Sequence, residues 1–491
     1  MKRILISTIA VSALLFNVSC DTDFDQDVND IVVTSGEANF SKYVALGNSL
    51  TSGYRDNALY IDGQNESYPN MLAMQMKMAG GGEFKQPLMP NNTGGFTNLF
   101  NQATGDFAGK YTLGVVCGAL SPSPTAPGAA LDNIAAQGPY QNLGIPGAKS
   151  FHLGVATYGS ANPYYARFST GVSPVAAAVA QAPTFFSLWI GNNDVLSYAT
   201  SGGIGVDQTG NFNPVTYGSN DITDPTVFAG TISQYIAALT ANGAKGVIAN
   251  IPNVTAIPYF KTVPSMPISG LSDAQATQLN GAYAPYNAGI LQLKNAGILS
   301  EAEYQNRIIR FTAGAVANGA VILDKELKDL TSYNPALKSY RQTTMKDLIT
   351  LPAAALLKPY DATCNPRGIS AGTAVPLEDR YVLTEKETER VLAATTAYNA
   401  SLKSIASSKG LAFVDANAKM LELSKASGIQ YDGVKYNATF VTGGTFSLDG
   451  VHLTGRGYAL IANEFIKAIN TTYKSTLPMV NVNSYSGVKF P

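Results

Sequence analysis

The strongest constraint on the fold is an alternation between short apolar runs, which end near glycine or proline, and longer segments with helical spacing. Four runs predict buried strands: 43–46, 185–190, 246–251 and 411–414. Four segments predict helices: 69–78, 227–239, 384–409 and 456–473. Because strands that alternate with helices form a parallel sheet covered on both faces, the sequence predicts an α/β fold with ligand-binding loops at the carboxyl ends of the strands.

Two stretches do not fit this alternation and are predicted to be insertions. Residues 83–143 are rich in Gly, Pro, Asn and Thr and indicate a long irregular segment. Residues 260–380 combine amphipathic helical patterns with proline-rich joints and form the larger insertion. The prediction is therefore one domain over residues 41–475 with two insertions, followed by a C-terminal tail at 476–491.

Composition and charge exclude some classes of function. Of the 491 residues, 45% are hydrophobic, which is enough for a large core, and the formal net charge is -1. No Lys/Arg-rich block occurs, so nucleic acid is not expected as a partner. The acidic stretch 21–30 lacks the glycine and the final acidic residue of a calcium loop, and the cysteines lack the spacing of a zinc site. Neither a metal nor another cofactor is predicted.

The N-terminus has the pattern of an export signal. Two basic residues precede an apolar run at 4–16 that is too short to span a bilayer, and Ser19 and Cys20 follow it. This pattern resembles a bacterial lipoprotein signal, although Asn17 stands where such signals usually have leucine. An ordinary signal peptide with an incidental cysteine is the alternative.

The resemblance implies that residues 1–19 are removed, that Cys20 carries lipid, and that residues 20–40 form an acidic tether. The protein would then be exported to the cell envelope, as an outer-membrane lipoprotein that faces the periplasm or the cell surface, with its lipid in the membrane. Cys117 and Cys364 would lie in an oxidising compartment, where a disulfide between them and two free thiols are both open.

Histidine is scarce enough to restrict the choice of a general base. Only His152 and His452 are present, and Asp449 stands three residues before His452, just ahead of a predicted helix. A tight turn there lets the carboxylate reach Nδ1 of the same imidazole, which fixes the tautomer and stabilises the imidazolium. Alone, such a D-x-x-H pattern is more often an ordinary surface turn. His152 has no carboxylate close in sequence, which favours a structural role.

Two further polar segments follow predicted strands. Ser49 comes shortly after the strand at 43–46, where a nucleophile can lie, although a helix N-cap serine is also typical of that position. Asn193 lies in the Gly-Asn-Asn-Asp segment that ends the strand at 185–190. That segment is either a simple turn or the source of an amide that donates to an oxyanion.

Taken together and in this order, these segments resemble the SGNH, or GDSL-type, hydrolase family. The matching blocks are Gly47-Asn48-Ser49-Leu50 for G-D-S-L, the glycine-bearing segment 142–148, Gly191-Asn192-Asn193-Asp194 for G-x-N-D, and Asp449 to His452 for D-x-x-H. Each block alone is weak. Their order, their positions at strand ends and the match of the scarce histidine make the resemblance strong.

The resemblance implies a flavodoxin-like three-layer α/β/α sandwich with a parallel sheet, large helical and loop insertions, and a Ser-His-Asp mechanism. Ser49 would attack the acyl carbon, and His452 would take its proton and pass it to the leaving alcohol. Asp449 would orient His452. The backbone N–H groups of Ser49 and Gly147 and the side-chain amide of Asn193 would bind the oxyanion.

One position departs from the family pattern, and two other motifs are look-alikes. Asn48 replaces the usual Asp, so we expect a changed hydrogen bond near Ser49 and no loss of activity. Ser370 lies in a literal G-x-S-x-G, but flanking prolines and the lack of an apolar run before it argue against a nucleophile. The segment ending at Lys149 resembles a phosphate loop, but Ala148 separates the lysine from the preceding glycine.

These observations predict an exported, lipid-anchored serine hydrolase that cleaves carboxylic esters, either an acyl lipid or an O-acetyl group on a glycan. The alternative is a non-catalytic surface lipoprotein that binds glycan or lipid on the same fold. The intact set of nucleophile, base and oxyanion donors favours the enzyme, because a binding module needs no such set. The two insertions are expected to shape the substrate site.

Overall fold

The computed structural model describes residues 32–116, 118–357 and 371–491. Its strands are β1 (Tyr43–Gly47), β2 (Tyr111–Val116), β3 (Ala119–Pro124), β4 (Asn142–Gly144), β5 (Phe185–Trp189), β6 (Lys245–Ala249), β7 (Val321–Leu323), β8 (Tyr340–Gln342), β9 (Leu348–Ile349), β10 (Val382–Leu383), β11 (Ala412–Val414), β12 (Ile429–Tyr431) and β13 (Val434–Tyr436). Its α-helices are α1 (Ser49–Ser52), α2 (Ile61–Asn65), α3 (Tyr68–Met78), α4 (Tyr158–Ala161), α5 (Pro163–Ala166), α6 (Pro174–Ala180), α7 (Asn193–Thr200), α8 (Pro225–Thr240), α9 (Pro258–Lys261), α10 (Asp273–Asn295), α11 (Glu301–Arg307), α12 (Glu385–Ser408), α13 (Ala416–Ser424) and α14 (Gly455–Tyr473).

The centre of the molecule is a five-stranded sheet in which every neighbouring pair runs parallel. Counted along the chain, its strands β1, β4, β5, β6 and β11 stand in space in the order 2-1-3-4-5. This is the order of flavodoxin-like sheets, in which the chain changes direction between the first and third strands and leaves a crevice at their carboxyl ends. The predicted three-layer α/β/α architecture is confirmed.

Helices cover both faces of the sheet, which explains why its strands are continuous apolar runs with no alternation. On one face α8 packs against α6 and α12, and on the other α14 packs against α3. Trp189 of β5 lies against Tyr68 and Phe465 from these last two helices, with ring centroids 5.5 and 5.9 Å away. The predicted capping box before α12 is also present: Thr384 N donates to Oε2 of Glu387 (2.9 Å), and the Thr384 side chain accepts from the backbone N–H of Glu387.

The first insertion, predicted to be irregular, contains β-strands, and the second has a buried core of its own. Residues 83–143 contain the antiparallel pair β2–β3, and their last two residues begin the sheet strand β4. Prolines and glycines interrupt these strands, and β4 has only three residues, so no apolar run marked them in the sequence. The segment between Val263 and Val382 has a second buried core of its own, which includes Ile290, Phe311 and Leu330.

Both described ends of the chain pack against the body. The N–H of Glu37 donates to the carbonyl of Tyr473, and Phe40 is buried. In the C-terminal segment, Leu477 and Val482 are buried. The described end of the predicted tether and the predicted tail are therefore parts of the folded body.

Within the described ranges, no helix has both the length and the apolar character needed to cross a membrane.

Candidate active site

The serine predicted as nucleophile lies at the carboxyl end of β1. Ser49 is the first residue of α1, and the side chain of Asn48 caps this helix by accepting a hydrogen bond from Leu50 N (3.1 Å). Gly47 is required before the turn, because a Cβ there would lie 2.4 Å from the carbonyl oxygen of Trp189. The sharp change from strand to helix places Ser49, which is 6% exposed, beside the crevice of the sheet.

The other two predicted catalytic residues form a hydrogen-bonded chain with Ser49. Nε2 of His452 lies 2.9 Å from Oγ of Ser49, and Nδ1 of His452 lies 2.9 Å from Oδ2 of Asp449. Ser49 and His452 are 403 positions apart in the sequence, so the fold brings them together. A proton on Nδ1, shared with the carboxylate, leaves Nε2 able to accept the serine proton, as a general base must.

A tight turn before α14 brings the side chains of Asp449 and His452 together. Oδ1 of Asp449 accepts hydrogen bonds from the backbone N–H groups of Val451 and His452, each at 2.8 Å. Gly450, which follows Asp449 in this turn, has φ = +71°, a conformation that side-chain-bearing residues rarely adopt. Ser447 N donates to the carbonyl of His452 (2.8 Å) and closes the turn.

The carboxylate of Asp449 is buried and still ionised. Burial alone would raise its pKa. The charge interaction with His452, together with hydrogen bonds from His452 and from Val451 N–H, outweighs burial and holds the pKa of Asp449 well below its usual range. The negative charge is therefore available to stabilise an imidazolium on His452.

A second turn, which the sequence analysis did not identify, supports the aspartate from the other side. Asp56 and Asn57 form the tip of a tight hairpin, with φ values of 52° and 59°. The N–H of Asn57 donates to Oδ2 of Asp449 (2.9 Å), and Oδ1 of Asp56 accepts from Leu448 N (3.0 Å). Asp and Asn tolerate this left-handed backbone, so the Asp-Asn pair is the one signal that the sequence offers.

Tyr54 is a further residue of the site that the sequence did not predict. Its ring lies against the imidazole of His452, with 4.7 Å between centroids. Its N–H donates to the carbonyl of Ser49 (3.0 Å), and its own carbonyl accepts from the hydroxyl of Tyr458 (2.6 Å). Tyr54 therefore restricts the movement of the imidazole, and nothing in its sequence context indicates this role.

Of the two predicted oxyanion residues beyond Ser49, Gly147 lies on the loop after β4 and Asn193 is the first residue of α7, and a hydrogen bond joins the two segments. Gly147 is exposed with φ = +80°, and Nδ2 of Asn193 donates to the carbonyl of Ala148 (2.9 Å). The Asn193 amide keeps one further N–H for a ligand. Among the hydrogen bonds of the described residues, the backbone N–H groups of Ser49 and Gly147 have no acceptor. The three predicted donors thus follow the carboxyl ends of β4, β1 and β5, which are neighbours in the sheet, and each keeps an N–H that could serve a developing oxyanion.

A buried polar network holds the Gly147 loop in place. The two carboxylate oxygens of Asp194 accept from Ser150, one from its N–H (2.8 Å) and one from its Oγ (2.6 Å). Burial raises the pKa of Asp194, and the hydrogen bonds from Ser150 oppose this rise. Lys149 is also buried and donates to the carbonyl of Asp221 (2.5 Å), so its ammonium group fixes the loop and is not free for a phosphate.

The departure at position 48 is confined to a buried amide pair. Nδ2 of Asn48 donates to Oδ1 of Asn192 (3.1 Å). An aspartate in place of Asn48 could only accept there, so Asn192 would have to rotate its amide to donate. The hydrogen bond that differs from the family pattern therefore joins two side chains beside the nucleophile and leaves the Ser49–His452 contact unchanged.

Each insertion contacts one of the two turns around Asp449. Tyr111 N, at the start of β2, donates to the carbonyl of Asp56 (2.7 Å). From the second insertion, Cδ2 of Leu351 lies 3.0 Å from the position that a Cβ on Gly450 would take. The prediction that the insertions shape the substrate site remains a prediction, but a residue of each lies against a turn that holds the predicted catalytic residues.

The second histidine has a structural environment. His152 stacks on Tyr158 with 4.6 Å between ring centroids, and its Nδ1 accepts from Lys149 N (3.1 Å). Burial, with a smaller contribution from the charge of Lys149, lowers the pKa of His152 to about 4, so this imidazole is neutral near pH 7. Other residues from the sequence analysis lie outside the described residues: Cys20, Cys117, Cys364 and Ser370.

Comparison with known proteins gives limited likeness. No protein-family model matches the chain, and no curated protein matches it. Among solved structures, an alpha/beta hydrolase enzyme from the metagenome of Lake Arreo, Spain, is 10% identical, with 89% of this chain and 97% of that chain covered and a TM-score of 0.33. An acetylxylan esterase from Geobacillus stearothermophilus is also 10% identical, with 88% of this chain and 95% of that chain covered and a TM-score of 0.32. An extracellular lipase from Streptomyces rimosus is 12% identical, with 88% of this chain and 98% of that chain covered and a TM-score of 0.29. At these TM-scores the likeness decides neither the fold nor the activity.

Proposed function

We propose that the protein is a serine hydrolase of the SGNH type that cleaves carboxylic esters. The observation that carries this proposal is the chain of two 2.9 Å contacts from Ser49 Oγ through the imidazole of His452 to the carboxylate of Asp449. A nucleophile, a base and a group that orients the base define an activated serine. A protein that only binds glycan or lipid has no need of a buried, ionised carboxylate behind an imidazole.

The acylation step follows from the positions of these groups. Oγ of Ser49 attacks the carbonyl carbon of the ester while Nε2 of His452 takes its proton. The negative charge that develops on the carbonyl oxygen is stabilised by the N–H groups of Ser49 and Gly147 and by the amide of Asn193. The C–O bond then breaks, His452 protonates the departing alcohol, and the acyl group remains on Ser49.

Deacylation repeats the same chemistry with water. His452 takes a proton from the water molecule as the water oxygen attacks the acyl carbon of the acyl-enzyme. The bond to Ser49 breaks, Oγ recovers its proton from His452, and the carboxylic acid leaves. In both steps Asp449 stabilises the imidazolium and keeps the ring in the required tautomer.

We expect a fluorophosphonate probe to attach covalently to Ser49, because His452 activates this hydroxyl for attack on an electrophilic phosphorus. Mass spectrometry of the digested protein should place the tag on the peptide that contains Ser49. Loss of p-nitrophenyl acetate hydrolysis should follow the extent of labelling. Ser370, in its G-x-S-x-G sequence, is an internal control, and a tag on that peptide would contradict the assignment.

We also propose that the protein is anchored in the cell envelope by lipid on Cys20. The basic and apolar leader that ends at this cysteine supports the proposal. We expect Cys20→Ala to move the protein from the membrane fraction to the soluble fraction, since only a multiply acylated cysteine anchors stably. If wild type and Cys20→Ala are both soluble, or both sediment with membranes, the anchor proposal fails.

A further inference from the structure

A cavity of about 190 Å³ lies between the sheet and the helices α13 and α14. Its wall includes the residue after the nucleophile, Leu50, and the residue before the base, Val451. Both are partly exposed. The side chains that adjoin the nucleophile and the base in the sequence therefore line this cavity, which lies next to Ser49 and His452.

The wall of the cavity is mostly apolar. Its other large apolar side chains include Trp189, Ile257, Met420, Leu423, Phe446 and Leu460. They come from the sheet, from the loops at its carboxyl edge and from the two covering helices. The cavity is thus built into the core domain, and its position relative to Ser49 is fixed by the same elements that fix the nucleophile.

Every charged side chain in the cavity wall has a partner of opposite charge. Lys419 pairs with Glu422 at 2.9 Å and with Glu464 at 3.6 Å, and Lys467 pairs with Glu464 at 2.7 Å. A ligand with a free carboxylate or phosphate would therefore find no unmatched cation among the lining residues. An uncharged alkyl chain has no polar group to desolvate on entering such a site, and it gains dispersion contacts.

We propose that this cavity binds the acyl chain of the substrate, so that the ester cleaved by Ser49 carries a medium-length fatty acyl group. This inference rests on the proposed function and extends it to the substrate class. The volume accommodates a chain of roughly six to ten carbons, judged from the liquid volume of small groups. An acetyl group has a single methyl and would leave most of the apolar wall without a partner.

The chain length of the best substrate tests the inference. Because each buried methylene strengthens binding by up to about four-fold, kcat/KM for p-nitrophenyl esters should rise about two- to four-fold per added methylene, from acetate to about octanoate. An enzyme for O-acetyl groups would instead prefer acetate, and its kcat/KM would fall as the chain lengthens. That result would overturn the inference.

Substitutions in the cavity wall locate the effect. Ala416 is buried at the start of α13 and lines the cavity. We expect Ala416→Leu to lower the ratio of octanoate to acetate kcat/KM at least ten-fold. Ala418→Leu, on the exposed side of the same helix, is the matched control and should leave the ratio unchanged. Met420→Ala enlarges the cavity and should move the optimum two or three carbons towards longer chains.

The outcomes separate this inference from the proposed function. If Ser49 is labelled and required for acetate hydrolysis but the ratio is the same in wild type, Ala416→Leu and Met420→Ala, the cavity does not bind the acyl chain and only this inference fails. If the folded wild type hydrolyses no ester and Ser49 is unlabelled, both fail. Since Met420→Ala removes atoms and Ala416→Leu adds them, opposite shifts in two variants that are both folded at the assay temperature exclude a general loss of structure.

Discussion

Replacing Ser49 by alanine is expected to lower kcat for p-nitrophenyl esters by about 10⁵- to 10⁶-fold, because the attacking oxygen is removed. The thermal unfolding temperature should hardly change, since among the described residues Ser49 Oγ bonds only to His452 and alanine fits the same turn. His452→Ala should be nearly as severe. Because the two residues act as one unit, the double variant should lose less than about ten-fold more than either single variant.

Steady-state kinetics of the single and double variants, with thermal unfolding as a check on folding, measure this coupling. Ser52→Ala is the matched control, since Ser52 lies in the same short helix and its Oγ donates to the carbonyl of Ser49 (2.9 Å). We expect this variant to lose stability on the order of 1 kcal/mol, the usual contribution of such a hydrogen bond, while keeping most of its activity. Losses that multiply in the Ser49→Ala, His452→Ala double variant would contradict a shared proton-transfer role.

Residues that follow an apolar strand could be predicted from the sequence. The runs that became β1 and β5 are buried on both faces, so they stand out as uninterrupted apolar segments, and the polar residues after them fall at the carboxyl edge. Ser49 and Asn193 were identified in this way, and the structure brings both to the switch point between these strands. His452 followed from the scarcity of histidine.

Contacts between distant segments could not be predicted from the sequence. Asn57 reaches Asp449 across 392 positions by a backbone N–H, a group that every residue except proline has. Tyr54 is one of 26 tyrosines, and only the fold sets it against His452. The strand β4 has only three residues, which is too short for an apolar run to mark it. Its pairing with β1, which the sequence does not reveal, holds it in the sheet.

The cavity beside Leu50 and Val451 illustrates the same limit. Its wall combines residues from β5, α13 and α14, and no local pattern distinguishes a helix that faces a cavity from one that faces a packed core. From the sequence, acyl lipid and O-acetyl glycan are therefore equal candidates for the substrate. A mostly apolar wall whose charged side chains are paired favours the acyl lipid, because only the longer acyl chain has enough apolar surface to fill it.

Asp449→Asn is expected to lower kcat by about 10⁴-fold, for a reason that lies in the hydrogen bonds around both carboxylate oxygens. Oδ1 accepts from Val451 N and His452 N, and Oδ2 accepts from Asn57 N and from the imidazole. An asparagine must place its NH₂ against one of these sets of donors. If it keeps the oxygen at the two N–H groups of its own turn, the NH₂ faces Nδ1 of His452 and favours the tautomer in which Nε2 carries the proton. That imidazole cannot accept the proton of Ser49.

Asp56→Asn is the matched control, because Asp56 is a carboxylate of the same pair of turns that does not contact the imidazole. Its Oδ2 accepts from the hydroxyl of Tyr60 (2.6 Å), which can also accept from an amide, so kcat should fall less than ten-fold. A comparably large loss in Asp56→Asn would show that the Asp449 effect comes from general damage to the turns and would contradict the tautomer argument.

The pH dependence of stability provides a second readout for Asp449→Asn. Because the pKa of Asp449 is lower in the folded protein than its ordinary value of 3.8, the ionised carboxylate stabilises the fold fully above that value, and this stabilisation is lost as the pH falls below it. Asparagine does not titrate. The difference in unfolding free energy between wild type and Asp449→Asn should therefore be largest near pH 7 and shrink as the pH is lowered through 4 and below.

Chemical denaturation at a series of pH values measures this difference. A gap that stays constant down to pH 2 would mean that Asp449 has no favourable interaction as a carboxylate, and the proposed support of His452 would fail with it.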